Sequence, residues 1–151
     1  MKIVVIGAGA MGSIYGGHLS QNNEVYIVDT NQQVVDSINE NGLLIDENGT
    51  TNVYHPKAVS TTEGITDVDL VILFVKSTFS KIALAGNKNI IGENTRLLTL
   101  QNGAGHEHIL MEFAPKERVI IGTTEDNGAV LGFGHVRRGG EGKTNAGMVV
   151  E

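Results

Sequence analysis

The chain has 151 residues, with 17 acidic and 11 basic side chains, and its formal net charge at pH 7 is −6. This acidic balance and an aromatic content of 5 % disfavour nucleic-acid binding, which typically uses basic patches and stacking rings. Because there is no cysteine and no apolar run of roughly 20 residues, disulfides, thiolate chemistry and a membrane-spanning helix are excluded. We expect a cytoplasmic, single-domain protein whose 20 glycines have a structural reason.

The first forty residues predict strands and helices in alternation. An apolar run at 2–6 is typical of a strand buried on both faces, and apolar residues at helical spacing predict a helix over 10–21. A second buried strand is predicted at 25–28. Thr30 is then the candidate N-cap of a helix that ends near residue 41. This order of elements is typical of a doubly wound α/β fold.

The middle of the chain predicts a hairpin. Asn48-Gly49, a strong signal for a tight turn, lies between two short segments at 43–45 and 51–54.

The α/β pattern then resumes with a buried strand at 70–75. We expect Ser77 to cap a helix that carries an apolar face. The residues of that face are Phe79, Ile82, Ala83 and Ile90.

Two further buried strands are predicted at 97–100 and 119–124, with a short helix over 104–113 between them. Pro115 ends this helix. From residue 129 onward, glycines recur in an alternating pattern that predicts antiparallel edge strands joined by turns.

A glycine motif, Gly7-x-Gly9-x-x-Gly12, follows the first strand directly and opens the first helix. Gly7 permits a tight turn, Gly9 lets the backbone approach a pyrophosphate, and Gly12 lets the helix pack closely on the strand. The motif alone is also compatible with a simple tight turn. In this context it predicts a Rossmann-like fold: a doubly wound, mostly parallel sheet with antiparallel edge strands near the C-terminus. The candidate phosphate-binding residues are Gly7, Ala8, Gly9, Ala10, Met11 and Gly12.

Asp29 ends the second predicted strand. A carboxylate there accepts hydrogen bonds from the adenosine ribose hydroxyls and repels a 2′-phosphate. The alternative is an acidic residue that merely precedes a helix.

Further motifs follow the later strands. They are Val75-Lys76-Ser77, Gln101-Asn102-Gly103-Ala104-Gly105, Gly122-Thr123-Thr124, Gly128-Ala129, and Gly134-His135-Val136 with the glycines at 140 and 142. With these motifs, the whole chain resembles the N-terminal cofactor-binding domain of the ketopantoate reductase (2-dehydropantoate 2-reductase) family.

The resemblance implies an enzyme of pantothenate biosynthesis that transfers hydride from NAD(P)H to a 2-oxo acid such as ketopantoate. It places Lys76 beside the adenosine, Asn102 near the nicotinamide ribose and the substrate, and the backbone of Gly128 against the nicotinamide. A solvated lysine at position 76 and a plain Asn-Gly turn at 102 are the alternatives.

The sequence departs from the family pattern in two ways. NADPH-using members commonly carry an arginine after the second strand, whereas here Asp29-Thr30-Asn31 offers an acid and no cation, so NAD is favoured over NADP. The family's general-acid lysine lies in a helical C-terminal domain, which we expect this chain to lack. We therefore expect the chain to be inactive alone, and the surface left by the missing domain is a candidate for self-association.

No metal site is predicted. His106 and His108, on either side of Glu107, point to different faces of a helix, whereas a helical zinc pair needs a spacing of four. Glu125 and Asp126 point to opposite faces of a strand.

A small basic cluster lies among the late glycines. Arg137, Arg138 and Lys143 are predicted to be solvated on an edge strand, with a phosphate contact as the alternative.

Two other functions remain open. A stand-alone NAD-sensing regulatory module, such as those of potassium-uptake systems, also uses a glycine loop and a strand-end acid. An S-adenosylmethionine-dependent methyltransferase would leave the spacing of the third glycine unexplained.

Overall fold

A computed structural model of the chain describes residues 1–100, 106–124, 127–140 and 144–148. Its α-helices are α1 (Ala10–Leu19), α2 (Gln32–Asn41), α3 (Ser80–Gly86) and α4 (His106–Met111). Its strands are β1 (Lys2–Ile6), β2 (Glu24–Val28), β3 (Leu43–Glu47), β4 (Thr50–Tyr54), β5 (Lys57–Val59), β6 (Leu70–Leu73), β7 (Arg96–Thr99), β8 (Val119–Thr124), β9 (Asn127–Gly132), β10 (His135–Gly140) and β11 (Thr144–Met148). Short 3-10 turns lie at Ser77–Phe79, Lys88–Ile90 and Lys116–Arg118. Within these ranges, no helix has both the length and the apolar character needed to cross a bilayer.

The larger sheet has the strand order β11-β8-β7-β6-β1-β2-β5. All its neighbouring pairs are parallel except β11 with β8, which is antiparallel. Along the chain, β2 and then β5 are added on one side of β1. The chain then returns to the other side of β1, where β6, β7, β8 and β11 follow in order. The predicted doubly wound sheet with an antiparallel edge near the C-terminus is confirmed. Its strand order reverses between β1 and β6, where such sheets bind ligands.

Both faces of this sheet are covered, which explains why its strands are continuously apolar. Along β1, Ile3 and Val5 belong to the core beneath α1 and α2, whereas Val4 and Ile6 belong to the core beneath α3 and α4. The first core also contains Ile14, Val25, Ile27, Val35, Ile38 and Ile72. The second also contains Val28, Val71, Leu73, Leu84, Leu97, Leu110 and Val119.

A second, four-stranded sheet has the order β4-β3-β10-β9. The predicted hairpin is confirmed as β3–β4, with positive φ angles of 52° at Asn48 and 75° at Gly49. The pairing of this hairpin with β10 is a long-range contact that no local pattern indicates. As a result, β10 is an interior strand, and the prediction that Arg137 and Arg138 lie on an edge strand is wrong.

Two predicted helix caps also need correction. α2 is capped by Asn31 rather than by Thr30, because the Asn31 side chain accepts a hydrogen bond from the Gln33 amide at 3.0 Å. Ser77 opens a 3-10 turn, and α3 begins only at Ser80.

The predicted apolar face of α3 is correct for Ala83, which packs against the core, and wrong for Phe79 and Ile82. Phe79 and Ile82 are 53 % and 70 % exposed, whereas Ser80 and Leu84, four residues apart, are buried against the sheet. The helix ends at Gly86, so the buried Ile90 belongs to a separate 3-10 turn. Exposed apolar side chains on this helix matter for the site, because Ile82 lines a cleft there.

β5 was not predicted from the sequence. It has only three residues, of which Ala58 is buried. It pairs with β2 in the sheet, although α2 and the β3–β4 hairpin separate the two strands in the chain. The strand positions Ser60 and Thr61 beside the end of β2.

Candidate functional site

The loop between β1 and α1 is packed tightly at two of its three glycines. Gly7 has a φ of 109°, and a Cβ there would lie 2.6 Å from the Phe74 carbonyl oxygen. A Cβ at Gly12 would lie 1.8 Å from the Gly7 carbonyl oxygen. Both glycines are therefore required by contacts within the protein itself, as the motif predicts for turn and packing positions.

Gly9 differs from both. Its φ of −72° suits any residue, it is exposed, and a Cβ there would meet no described heavy atom within 4 Å. Neither backbone strain nor packing with the described residues explains a glycine at this position. The open space beside Gly9 fits a group that approaches the backbone from outside the protein.

The N-terminus of α1 faces the same open space. Gly9 is its N-cap, and in the described structure no side chain caps it and its first turn holds no acidic residue. The first N–H groups of a helix lack partners within the helix, and the helix dipole adds positive potential there. This combination suits a phosphate group.

Asp29 lies next to the loop, at the end of β2. Its Oδ2 accepts a hydrogen bond from the Ala8 amide at 3.1 Å, and its Oδ1 accepts one from the Asn31 amide at 2.8 Å. Each carboxylate oxygen can accept a further hydrogen bond. The arrangement thus holds the carboxylate in place and leaves it able to bind a ribose hydroxyl.

A cleft of about 370 Å³ lies between the carboxyl ends of β1, β2 and β6 and the helix α3. Its size is within the range of small-molecule sites. Its lining is mostly apolar with a few hydroxyl and amide groups, and Asp29 is its one charged lining residue in the described structure. The lining residues are Ile6, Gly7, Val28, Asp29, Thr30, Ser60, Thr61, Val75, Ile82, Ala83, Gly86 and Asn87.

Sequence analysis missed several of these lining residues. Ser60 and Thr61 follow the unpredicted strand β5, and Asn87 follows a helix whose end was placed too late. A hydroxyl pair directly after a short strand was the available signal for the first two.

Lys76 lies beside this cleft without lining it. It is exposed and follows Val75, a lining residue, and its carbonyl oxygen accepts a hydrogen bond from the Phe79 amide at 2.8 Å. Lys76 is therefore a direct chain neighbour of the cleft lining, and its position beside the adenosine stays a prediction.

Gly128 lies on β9 and packs against the start of α1. A Cβ there would lie 2.8 Å from both the Arg137 carbonyl oxygen and Ile14 Cδ1, and 3.3 Å from Ala10 Cβ. The second sheet thus brings Gly128 next to α1, and close packing is by itself a sufficient reason for glycine.

Other candidate residues lie outside the described residues. They are Asn102 and Gly103, Glu125 and Asp126, and Lys143. His108 is exposed, and its Nε2 lies 3.8 Å from Glu107 Oε1. Among the described residues, no group of three potential metal ligands occurs.

A second polar cluster joins the far end of α1 to the small sheet. The buried Glu47 carboxylate accepts hydrogen bonds from Tyr54 Oη at 2.5 Å and Asn52 Nδ2 at 2.9 Å, and His18 Nε2 lies 2.8 Å from its other oxygen. Burial raises the pKa of Glu47, but these hydrogen bonds outweigh it and hold the pKa below its ordinary value. Burial and the bond to Glu47 raise the pKa of Tyr54 to about 12. The cluster lies a helix length from the glycine loop, so its evident contribution is to stability.

Comparison with known proteins identifies the family. A family model described as ketopantoate reductase PanE/ApbA matches residues 3–151. A 2-dehydropantoate 2-reductase of Streptococcus pyogenes serotype M1 is 33 % identical over 146 residues, which are 96 % of this chain and 47 % of the relative.

Solved structures agree in fold. D-mandelate dehydrogenase, in a ternary structure with NADH and anilino(oxo)acetate, is 36 % identical with a TM-score of 0.89, over 97 % of this chain and 48 % of that one. A PanE/ApbA family ketopantoate reductase from Ralstonia eutropha JMP134 is 30 % identical with a TM-score of 0.87, over 95 % and 48 % of the two chains. The chain thus spans about half the length of the relatives it matches. With a family model that covers nearly all of its length, this chain belongs to the ketopantoate reductase PanE/ApbA family.

Proposed function

We propose that the chain is the dinucleotide-binding part of an oxidoreductase that reduces a 2-oxo acid with NADH. The observation that carries this proposal is the exposed Gly9, which has no structural reason among the described residues and lies at an uncapped helix N-terminus. A relative of similar fold has NADH bound, which supports the choice of a nicotinamide dinucleotide.

The residues have distinct roles in this proposal. Backbone amides of the loop 7–12 and the start of α1 hold the pyrophosphate, and Asp29 binds the adenosine ribose. The cleft beside Asp29 takes the adenine, with Lys76 on the adenosine side. Asn102 orients the nicotinamide ribose and the substrate, and the backbone of Gly128 contacts the nicotinamide.

NAD is the favoured cofactor over NADP. The Asp29 carboxylate repels a 2′-phosphate, and the lining of the cleft contains no lysine or arginine in the described structure. Three lysines are chain neighbours of lining residues, namely Lys76, Lys81 and Lys88, and none of them lines the cleft.

The names of the relatives support the proposed substrate class. Two named activities occur among them, 2-dehydropantoate reduction and D-mandelate oxidation, and the structure with NADH also holds an oxoacetate. When bound, the reduced nicotinamide supplies the hydride for the keto carbon. The product alkoxide then needs a proton donor, and we propose that residues beyond this chain supply it.

The test is a titration of the 151-residue protein with NADH, NADPH and S-adenosylmethionine, followed by an assay for ketopantoate reduction. We expect NADH to bind and ketopantoate to remain unreduced. Binding of S-adenosylmethionine instead of NADH would contradict the proposed function. Rapid ketopantoate reduction by this chain alone would contradict the proposal that the proton donor lies elsewhere.

A further inference from the structure

A buried hydroxyl group joins the two walls of the cleft. Thr62 is 1 % exposed, and its Oγ1 donates to Asn87 Oδ1 at 2.7 Å, with Asn89 Oδ1 as a second acceptor at 3.3 Å. The Asn89 amide donates back to the Thr62 carbonyl oxygen at 2.9 Å. The residues on either side of Thr62 are therefore tied to the segment that follows α3.

Each wall of the cleft is attached to one end of this network. Ser60 and Thr61, directly before Thr62, line one wall. Asn87 lines the other, and its Nδ2 donates to the Ala83 carbonyl oxygen at 2.8 Å, so its side chain is held at both polar ends. The Thr62 hydroxyl thus sets the position of one wall relative to the other.

The spacing of these walls decides what the cleft can accept. Val28, Ile82 and Ala83 present apolar surface, while Ser60 and Thr61 on one wall and Asn87 on the other present polar groups. A flat heteroaromatic ring with polar edges fits this chemistry, and Asp29 lies where the attached ribose would be. Ligand binding to a site held in this way costs less conformational entropy, because the side chains of the site are already ordered.

We propose that Thr62 is a positioning residue that presets this cleft for the adenine end of the dinucleotide. The inference rests on the proposed function, since it assigns a task within the same site. Thr62 acts through Asn87 and the 60–61 segment and makes no contact with the ligand itself.

The test compares two substitutions at one position. Thr62→Val removes the hydroxyl at nearly constant volume, whereas Thr62→Ser retains it. Calorimetric titration of each full chain with NADH, AMP and nicotinamide mononucleotide measures the two halves of the ligand separately. We expect Thr62→Val to weaken AMP and NADH binding by roughly threefold to tenfold, as for one lost hydrogen bond, and to leave nicotinamide mononucleotide binding nearly unchanged. Thr62→Ser should restore AMP affinity.

Three outcomes would count against the inference. Unchanged AMP affinity in Thr62→Val overturns it, and so does an equal loss for AMP and nicotinamide mononucleotide, which a general loss of stability would produce. If the valine variant does not fold, Asn89→Ala removes the exposed partner of Thr62, and an unchanged ratio of the two affinities in that variant overturns the inference as well. Failure of the unsubstituted protein to bind NADH would instead overturn the proposed function and the inference with it.

Discussion

The carboxylate of Asp29 accepts a hydrogen bond from the Ala8 amide, with 3.1 Å between Oδ2 and the nitrogen. The two residues meet because β1 and β2 are parallel neighbours in register, with Ile6 opposite Val28. The acid that we propose to bind the ribose is therefore also hydrogen-bonded to the glycine loop. In the proposed function, this one side chain links recognition of the phosphates to recognition of the adenosine.

Asp29→Ala tests that link. We expect NADH affinity to fall and the preference for NADH over NADPH to shrink by roughly tenfold, because the repulsion of a 2′-phosphate is removed. Fluorescence titration with both cofactors measures the ratio. Glu40→Ala, which removes an exposed carboxylate on α2, is the control and should change neither affinity. Tighter binding of NADPH than NADH by the unsubstituted protein would contradict the role of Asp29.

Gly9→Ala and Gly12→Ala should separate binding from folding. The alanine Cβ at position 9 enters open space, so we expect normal thermal stability and at least roughly tenfold weaker NADH binding. At position 12 it meets the Gly7 carbonyl oxygen, and overpacking should cost about 1–3 kcal/mol of unfolding free energy. Denaturant unfolding and NADH titration on both variants give the comparison. Unimpaired NADH binding by Gly9→Ala would remove the main support for the phosphate site.

Ile82 and Leu84 are near neighbours on α3 with opposite exposure, 70 % and 1 %. We expect Leu84→Ala to cost about 2–5 kcal/mol of unfolding free energy, because it leaves a cavity in the core. Ile82→Ala should change stability by less than about 0.5 kcal/mol but weaken NADH binding, because Ile82 lines the cleft. Loss of stability in Ile82→Ala without loss of affinity would show that the side chain serves the fold.

Glu47→Gln should make the unfolding free energy depend less steeply on pH in the acid range. Because the folded-state pKa of Glu47 is lowered, its carboxylate stabilises the fold above the unfolded pKa near 4.5, and this contribution is lost as pH falls through the folded pKa. Unfolding free energy measured from pH 6 downward should therefore fall less steeply in the variant. Glu112→Gln, in an exposed ion pair with Lys81, is the control and should keep the original slope.

Tyr54→Phe tests how the unfolding free energy depends on pH in the alkaline range. The raised pKa of about 12 means that the protonated phenol stabilises the fold below pH 10, and that this contribution is lost as pH rises from 10 towards 12. We expect the variant to be less stable at neutral pH and to show a shallower decline above pH 10. An identical alkaline slope in both proteins would mean that Tyr54 titrates equally in the folded and unfolded states.

The large sheet was predictable because its signals are local. Strands buried on both faces are continuously apolar, as β1 and β6 are, and the glycine motif marks the turn between β1 and α1. The Asn48-Gly49 turn likewise identifies its hairpin from two residues.

The remaining parts depend on contacts between distant segments. β5 has only three residues, too few for a periodic pattern, and is recognisable as a strand through its pairing with β2. The exposure of Phe79 and Ile82 follows from where α3 begins, which a 3-10 turn shifts beyond Ser77. Half of the residues that line the cleft were therefore not predicted, because they come from these two regions.

The small sheet also bears on the order of folding. β3–β4 and β9–β10 are local hairpins. The two hairpins are joined by parallel pairing of β3 with β10, in which Leu44 lies opposite His135, and most of the chain lies between these two strands. Such pairing is slow, because a long loop must close before the contacts form. Since Gly128 on β9 completes the packing around the start of α1, we expect the helices to appear early in refolding and the capacity to bind NADH to be acquired last.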